Sequence, residues 1–184
     1  MTLIRPYRAS WATDFLSIRE KLTSVLGDIC LNIEHIGSTS VPGLAAKPII
    51  DIDIVYNESS DFELIKLALE TCGYYHNGNQ EVEGREVFKR HGSQDPVLDF
   101  ISHHLYVCRY DSAELQRHIL FRDYLRTNPA ARDYYQHLKY EIAREAGEDR
   151  KRYAAIKTVK AESFFIYIIH LSVAEHDGFS KVLC

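Results

Sequence analysis

The chain has 184 residues, 46% of them hydrophobic and 26% charged, which suits a globular protein large enough to bury an ordinary core. Its net charge of -4 argues against a broad electrostatic grip on nucleic acid. No stretch reaches the roughly 18 apolar residues of a membrane helix, and "MTLIRPYRASW" has no signal-peptide core. Cys30, Cys72, Cys108 and Cys184 lack C-x-x-C spacing and read as thiols in a reducing cytoplasm, without a structural zinc site.

Trp11, Phe15, Ile18, Leu22 and Leu26 recur at intervals of three and four, predicting a helix over Ser10–Leu26 that stops at Gly27. "ICLNIEHI" then reads as a short strand running into the Gly37-Ser38 turn. "PIIDIDIVY" alternates aspartate with isoleucine, as a half-buried strand does. Ser60 followed by Glu63 resembles a capping box opening a helix whose stripe is Phe62, Ile65, Leu69 and Cys72, ending at Gly73. From Tyr74 to Arg109 antiparallel strands are expected, chiefly "REVFKRH" and "SHHLYVCR", with "NGNQ" and "HGSQDP" as turns. The remainder reads as helices. One covers Ser112–Thr127, a second starts at Pro129 behind a capping Asn128, and a third spans Asp149–Glu175 with Tyr153, Ile156, Lys160, Phe164, Tyr167 and Leu171 on one stripe. The order implies an α+β fold: a mixed or antiparallel sheet flanked by helices, with a helical C-terminal half.

Strand alternation puts Asp51 and Asp53 on one face and Ile50, Ile52 and Ile54 on the other. Like charges held that close persist if solvated, or if a cation sits between them. Oxygen-only ligands suit Mg²⁺ (or Mn²⁺), which takes further ligands from water and substrate phosphates. An isolated D-x-D reads more readily as an exposed strand face with two solvated aspartates. The upstream turn adds weight to the metal: Gly37 permits close ligand approach, and the amides and hydroxyls of Ser38, Thr39 and Ser40 can donate to phosphate oxygens. This is not a Walker loop, because no glycine-lysine-serine/threonine follows.

The Gly-Ser turn followed by Asp51-Ile52-Asp53 resembles the signature of the DNA polymerase β-type nucleotidyltransferase superfamily. The wider stretch "HIGSTSVPGLAAKPIIDIDI" resembles the opening motif of the GrpB family (UPF0157). "HHLYV" at His103–Val107, "FRDYLR" at Phe121–Arg126, "YQHLKYEIA" at Tyr135–Ala143 and "RYAAIKTVKAESFF" from Arg152 resemble its later motifs. The resemblance implies one nucleotidyltransferase-like domain over residues 1–184, with a site-bearing α/β part at 1–110 and a helical part at 111–184. It also implies that the turn holds nucleotide phosphates and that Asp51 and Asp53 hold the metal. Related domains occur fused to dephospho-coenzyme A kinase. Superfamily catalysts generally add a third carboxylate from a neighbouring strand. The family pattern has H-x-H there, and this sequence carries Tyr106 in place of the second histidine. His104 is then a candidate metal ligand, base or phosphate donor, or equally a histidine satisfied within the sheet. Asp99, Glu86 and Glu34 are alternative acids, each also readable as a surface ion-pair partner.

Basic candidates for a triphosphate are Lys47, four residues before Asp51, and Arg122 with Arg126, one helical turn apart. Arg122, Asp123 and Arg126 read equally as a surface ion-pair set. Lys89 and Arg90 lie on an expected strand, and Lys139 and Lys157 are weaker candidates. Tyr124, Tyr134, Tyr135 and Tyr140 can stack on a base but more often belong to a core. Two functions follow: metal-dependent transfer of a nucleotidyl group from a nucleoside triphosphate to an unnamed acceptor, or binding of a nucleotide or phospholigand without turnover. A third is a protein-interaction domain with a vestigial site.

Overall fold

The computed structural model describes residues 3–92, 95–147 and 149–180, with side chains apart from those of residues 161, 162 and 169–180. Cys184 and the Ser93-Gln94 part of "HGSQDP" lie outside the described residues, and Leu171 lies outside the described side chains.

Chain order is α1 (Ser10–Leu26), β1 (Asn32–Ile36), β2 (Ile50–Tyr56), α2 (Asp61–Thr71), β3 (Tyr74–His76), β4 (Glu86–Arg90), α3 (Pro96–Phe100), β5 (His103–Arg109), α4 (Ala113–Thr127), α5 (Pro129–Ala146) and α6 (Arg150–Ser180). The five strands form one sheet in the order β1-β2-β5-β4-β3. The β2–β5 pair is parallel and the other pairs are antiparallel, so the sheet is mixed.

The two faces of β2 divide the molecule. Ile50, Ile52 and Ile54 point into the main core with Ile33, Leu105 and Val107, covered by Phe15, Ile18 and Leu22 of α1 and Ile65 and Leu69 of α2. The other face carries Asp51, Asp53 and Val55. Val55 packs with Cys108 and Leu115, which seats α4 on that side. A third cluster ties the Val41–Leu44 loop to Phe121, Leu125, Tyr135 and Ile168, so α4, α5 and α6 enclose the aspartate face. This is the expected α+β arrangement with helices C-terminal to the sheet.

Several local expectations change. Ser60 has helical backbone angles and makes no capping bond; Asp61 Oδ2 instead accepts from the Glu58 amide at 2.9 Å, so the capping box does not form. In "HGSQDP", Asp95 Oδ1 accepts from the Val97 and Leu98 amides at 2.9 Å each, and with Pro96 at the first position starts α3 where only a turn was expected. On α6, Tyr153 and Ile168 are buried whereas Lys160 and Tyr167 are exposed. Ile156, Lys157, Phe164 and Phe165 are half-buried, so the face α6 turns to the fold is offset from the expected stripe and is set by its packing with α4 and α5. Asn128 caps α5 as expected, its Oδ1 accepting from the Ala131 amide at 3.1 Å.

Candidate functional site

Parallel pairing sets Asp51 beside His104 and Asp53 beside Tyr106, while antiparallel pairing sets Glu34 on the other side of Asp53. The two aspartates then diverge in environment. Asp51 is half-buried at the mouth of the Gly-Ser turn, and its Oδ1 accepts from His104 Nδ1 at 2.8 Å. Its carboxylate packs so tightly on Gly37 that a Cβ there would lie 3.0 Å from Asp51 Cβ and Cγ and nearer still to Oδ2. Asp53 is wholly buried, and its Oδ2 accepts from His118 Nδ1 of α4 at 2.8 Å. Burial raises the Asp53 carboxyl above its ordinary value, the His118 contact opposing it. Burial works against charge on His118 too, but its bonds to Asp53 and, through Nε2 at 3.2 Å, to Glu114 prevail and hold it up at about 9.

The turn is braced from behind. Gly37 has φ +69° and ψ -171°, a conformation that glycine alone adopts comfortably. Ser40 Oγ donates to the Gly37 carbonyl at 2.6 Å. Thr39 Oγ1 donates to the Ile49 carbonyl at 3.3 Å and takes the Nε2 proton of His35 at 3.1 Å. His35 stacks on Phe15 with ring centroids 4.6 Å apart. Burial, aided by Arg126, lowers His35 to about 4, so it serves as a neutral donor. Of the three turn hydroxyls, only that of Ser38 makes no hydrogen bond among the described residues.

A cavity of about 310 Å³ opens between this turn and α6, lined by Ser38, Thr39, Asp51, His104 and Tyr106 with three lysines, Lys47, Lys139 and Lys157. Lys47 Nζ lies 4.0 Å above the Tyr153 ring. Lys139 is buried, donates to the Ala45 carbonyl, and is pushed well below the ordinary lysine value by burial and then by Lys157. None of the three has a carboxylate within 4 Å among the described residues. The arrangement concentrates positive charge beside one open carboxylate, which suits an anion better than a bare metal.

Arg122 and Arg126 do not line this cavity. Arg122 is buried and bonds Glu34 at 2.5 Å, Asp123 at 2.7 Å and the His35 carbonyl at 3.2 Å. Arg126 grips the Ser40 carbonyl through Nε at 3.0 Å and Nη2 at 2.9 Å. Both position the Gly-Ser turn, with Asp123 as the shared ion-pair partner. Ser40 is likewise spent inside the turn. The alternative acids are all paired: Glu34 with Arg122, Glu86 with His76 and Asp99 with Arg90.

Metal holding is tested by these donors. No group of three or more His, Cys, Asp or Glu side chains placed to hold a metal ion occurs among the described residues. A divalent ion between both aspartates would have to displace His118 from Asp53. The donor set fits a hydrated Mg²⁺ at Asp51 that draws its other ligands from phosphates.

Sequence reasoning passed over His35 and His118 and ranked Lys139 and Lys157 low. The signal for Lys139 and His118 was a polar residue on an apolar helix stripe. Lys139 falls in register with Tyr135, Ile142 and Ala146, and His118 with Leu115, Phe121 and Leu125.

No helix among the described residues is long and apolar enough to cross a membrane. The chain resembles a crystal structure of the conserved protein GrpB from Enterococcus faecalis at 31% identity and TM-score 0.76, covering 94% of this chain and 98% of that one. Cid1 in complex with its short product ApU shares the fold at TM-score 0.52 and 12% identity, over 73% of this chain and 41% of Cid1. Among curated relatives, the UPF0157 protein BH1888 of Halalkalibacterium halodurans is 35% identical over 152 residues, 83% of this chain and 74% of the relative. The UPF0157 protein YqkA of Bacillus subtilis is 33% identical over 147 residues, 80% of this chain but 41% of the relative's length. The sheet thus has a nucleotidyltransferase-like fold, and a family model described as GrpB protein matches residues 2–165, nearly all of the sheet and helices described above; the chain belongs to the GrpB family.

Proposed function

We propose that the chain binds the polyphosphate of a nucleoside triphosphate in the lysine-lined cavity and transfers the nucleotidyl group to an acceptor. The observation that carries this reading is the convergence of Lys47, Lys139 and Lys157, none with a carboxylate within 4 Å among the described residues, on a cavity rimmed by the Gly-Ser turn and Asp51. Three ammonium groups so gathered, one of them fully buried, are stabilised by an anion of several charges. Ser38 and the turn backbone supply neutral donors, and the lysines offset the charge on the departing pyrophosphate. Asp51 is the residue that would hold Mg²⁺, whose contribution when bound is to neutralise the phosphoanhydride.

His104 completes the set. A carboxylate only accepts, so in the neutral form of this imidazole the proton sits on Nδ1 and the lone pair on Nε2. That nitrogen takes the acceptor's proton as the acceptor oxygen bonds to the α-phosphorus and the bond from that phosphorus to pyrophosphate breaks. In this reading His104, on the neighbouring strand β5, takes the role of the third carboxylate of superfamily catalysts.

A second reading, nucleotide binding without turnover, is favoured by the closed Asp53–His118 pair, which withholds one of the two aspartates. Calorimetric titration with tripolyphosphate and with a non-hydrolysable ATP analogue, run beside a pyrophosphate-release assay with Mg²⁺ or Mn²⁺ and the four nucleoside triphosphates, separates them. Binding with release supports transfer, binding without release supports the second reading, and no binding by either ligand defeats both.

A further inference from the structure

Two further cavities share walls with the first. One of about 190 Å³ is lined in part by Asp51, Tyr106 and His118. The other, of about 340 Å³, is lined by Arg85, Glu114, Arg117, His118 and Lys157. Lys157 lines all three spaces.

Arg85 is the informative residue. Its guanidinium lies 4.8 Å from the Tyr106 ring centroid, and its buried Nε has no hydrogen-bond partner among the described residues. A buried donor left unmatched is costly, so such a group in a native fold asks for a partner. The nearest carboxylate, Glu114, is 3.6 Å from Arg85 Nη1. That same carboxylate also faces Arg117 at 3.6 Å and His118 Nε2 at 3.2 Å. Glu114 is thus shared with His118, which also bonds Asp53, and meets Arg85 only at long range.

The placement is built rather than incidental. Gly84, at φ +75°, packs so closely on α4 that a Cβ there would lie 3.0 Å from Ser112 Cβ. Ser112 in turn caps α4 by accepting from the Leu115 amide at 3.1 Å. The start of β4 and the first turn of α4 are thereby locked together, which sets Arg85 against Glu114 and over Tyr106.

We propose that the cavity lined by Arg85 binds the oxyanion of a second ligand, a phosphate or carboxylate group, with Arg85 as its principal donor and Lys157 as the wall it shares with the polyphosphate. A planar guanidinium fork matches either oxyanion. Naming that ligand the acceptor rests on the transfer reading; the anion site itself does not.

The test uses the full chain at constant ionic strength. Inorganic phosphate and acetate are titrated by calorimetry with and without saturating tripolyphosphate, which fills the first cavity. With that cavity filled, one of the two probes still binds, and which one binds distinguishes a phosphorylated from a carboxylated ligand. Arg85→Gln weakens that binding by about tenfold or more, whereas Lys66→Ala, on α2 and lining neither cavity, leaves it within about twofold. Arg85→Lys, which keeps the charge and loses the fork, falls between, and it supplies the reading if Arg85→Gln does not fold. The proposal is overturned if neither probe binds the unaltered chain, or if the Arg85 variants bind as well as it does. Should tripolyphosphate fail to bind while phosphate or acetate still depends on Arg85, the polyphosphate reading falls and the second site stands.

Discussion

Replacing Gly37 by alanine tests the contact on which the geometry of Asp51 depends. Two costs add. The backbone angles of Gly37 belong to a region that L-residues occupy at a cost on the order of 1–3 kcal/mol. The new methyl would also press on Asp51 at distances real Cβ atoms do not tolerate, with the Asp51 Cβ and Cγ only 3.0 Å away, and overpacking of this kind costs about 1–3 kcal/mol. Together they place Gly37→Ala about 4 kcal/mol below the unaltered chain, a fall in Tm of about 8–16 °C for a domain of this size. Gly43→Ala is the control. Its φ is also positive, at +82°, but its Cβ would meet only the Arg132 guanidinium at 3.6 Å, so only the backbone cost applies. The assay is thermal and urea unfolding of both variants and of Gly37→Ala/Asp51→Ala. The double variant should regain about 1–2 kcal/mol relative to the sum of its parts, because the two positions are in contact. Equal losses at Gly37 and Gly43, or strict additivity in the double variant, would refute the packing of Asp51 on the turn.

Other outcomes follow from the same geometry. His118, held up at about 9 in the fold against an ordinary 6.5, contributes stability that is fully present below pH 6.5 and is lost as pH rises through 9. NMR titration of its ring should give a midpoint near 9 that drops clearly in Asp53→Asn; an ordinary midpoint in the unaltered chain would show that the pair does not form. Lys139→Met removes a buried amine whose charge is disfavoured by burial and which has no carboxylate partner among the described residues, so Tm should hold or rise while tripolyphosphate affinity falls about tenfold; a lower Tm with unchanged affinity would make Lys139 structural only. Asn128→Ala removes the α5 cap and should cost about 1 kcal/mol, read as a small Tm loss with no change in ligand binding.

Much of the fold was legible because local rules and tertiary packing agree. The stripe of α1 and the alternation of "PIIDIDIVY" each report one buried face, and the structure buries those faces. The partners across the sheet were less legible, since register depends on long-range pairing: sequence alternation allowed His104 to face Asp51, but only the parallel β2–β5 register places them side by side. The identical spacing of Asp51 and Asp53 hid their difference. Asp53 is sealed by α4 and Asp51 is not, and nothing in D-x-D encodes which helix will cover which carboxylate. Arg122 and Arg126 misled for a related reason. Arginines on a helix can reach a ligand or a backbone carbonyl, and the choice is made by the Gly-Ser turn that α4 packs against. Lys139 carried the readable clue, a charge placed where the helix period demands an apolar residue.

A crystal structure of the chain soaked with Mg²⁺ and a non-hydrolysable nucleoside triphosphate analogue tests the location of the site most directly. Phosphate density within hydrogen-bonding reach of Ser38, Lys47 and Lys157, with the metal against Asp51, is the expected result. Ordered nucleotide elsewhere on the surface, with that cavity holding only water, would contradict it.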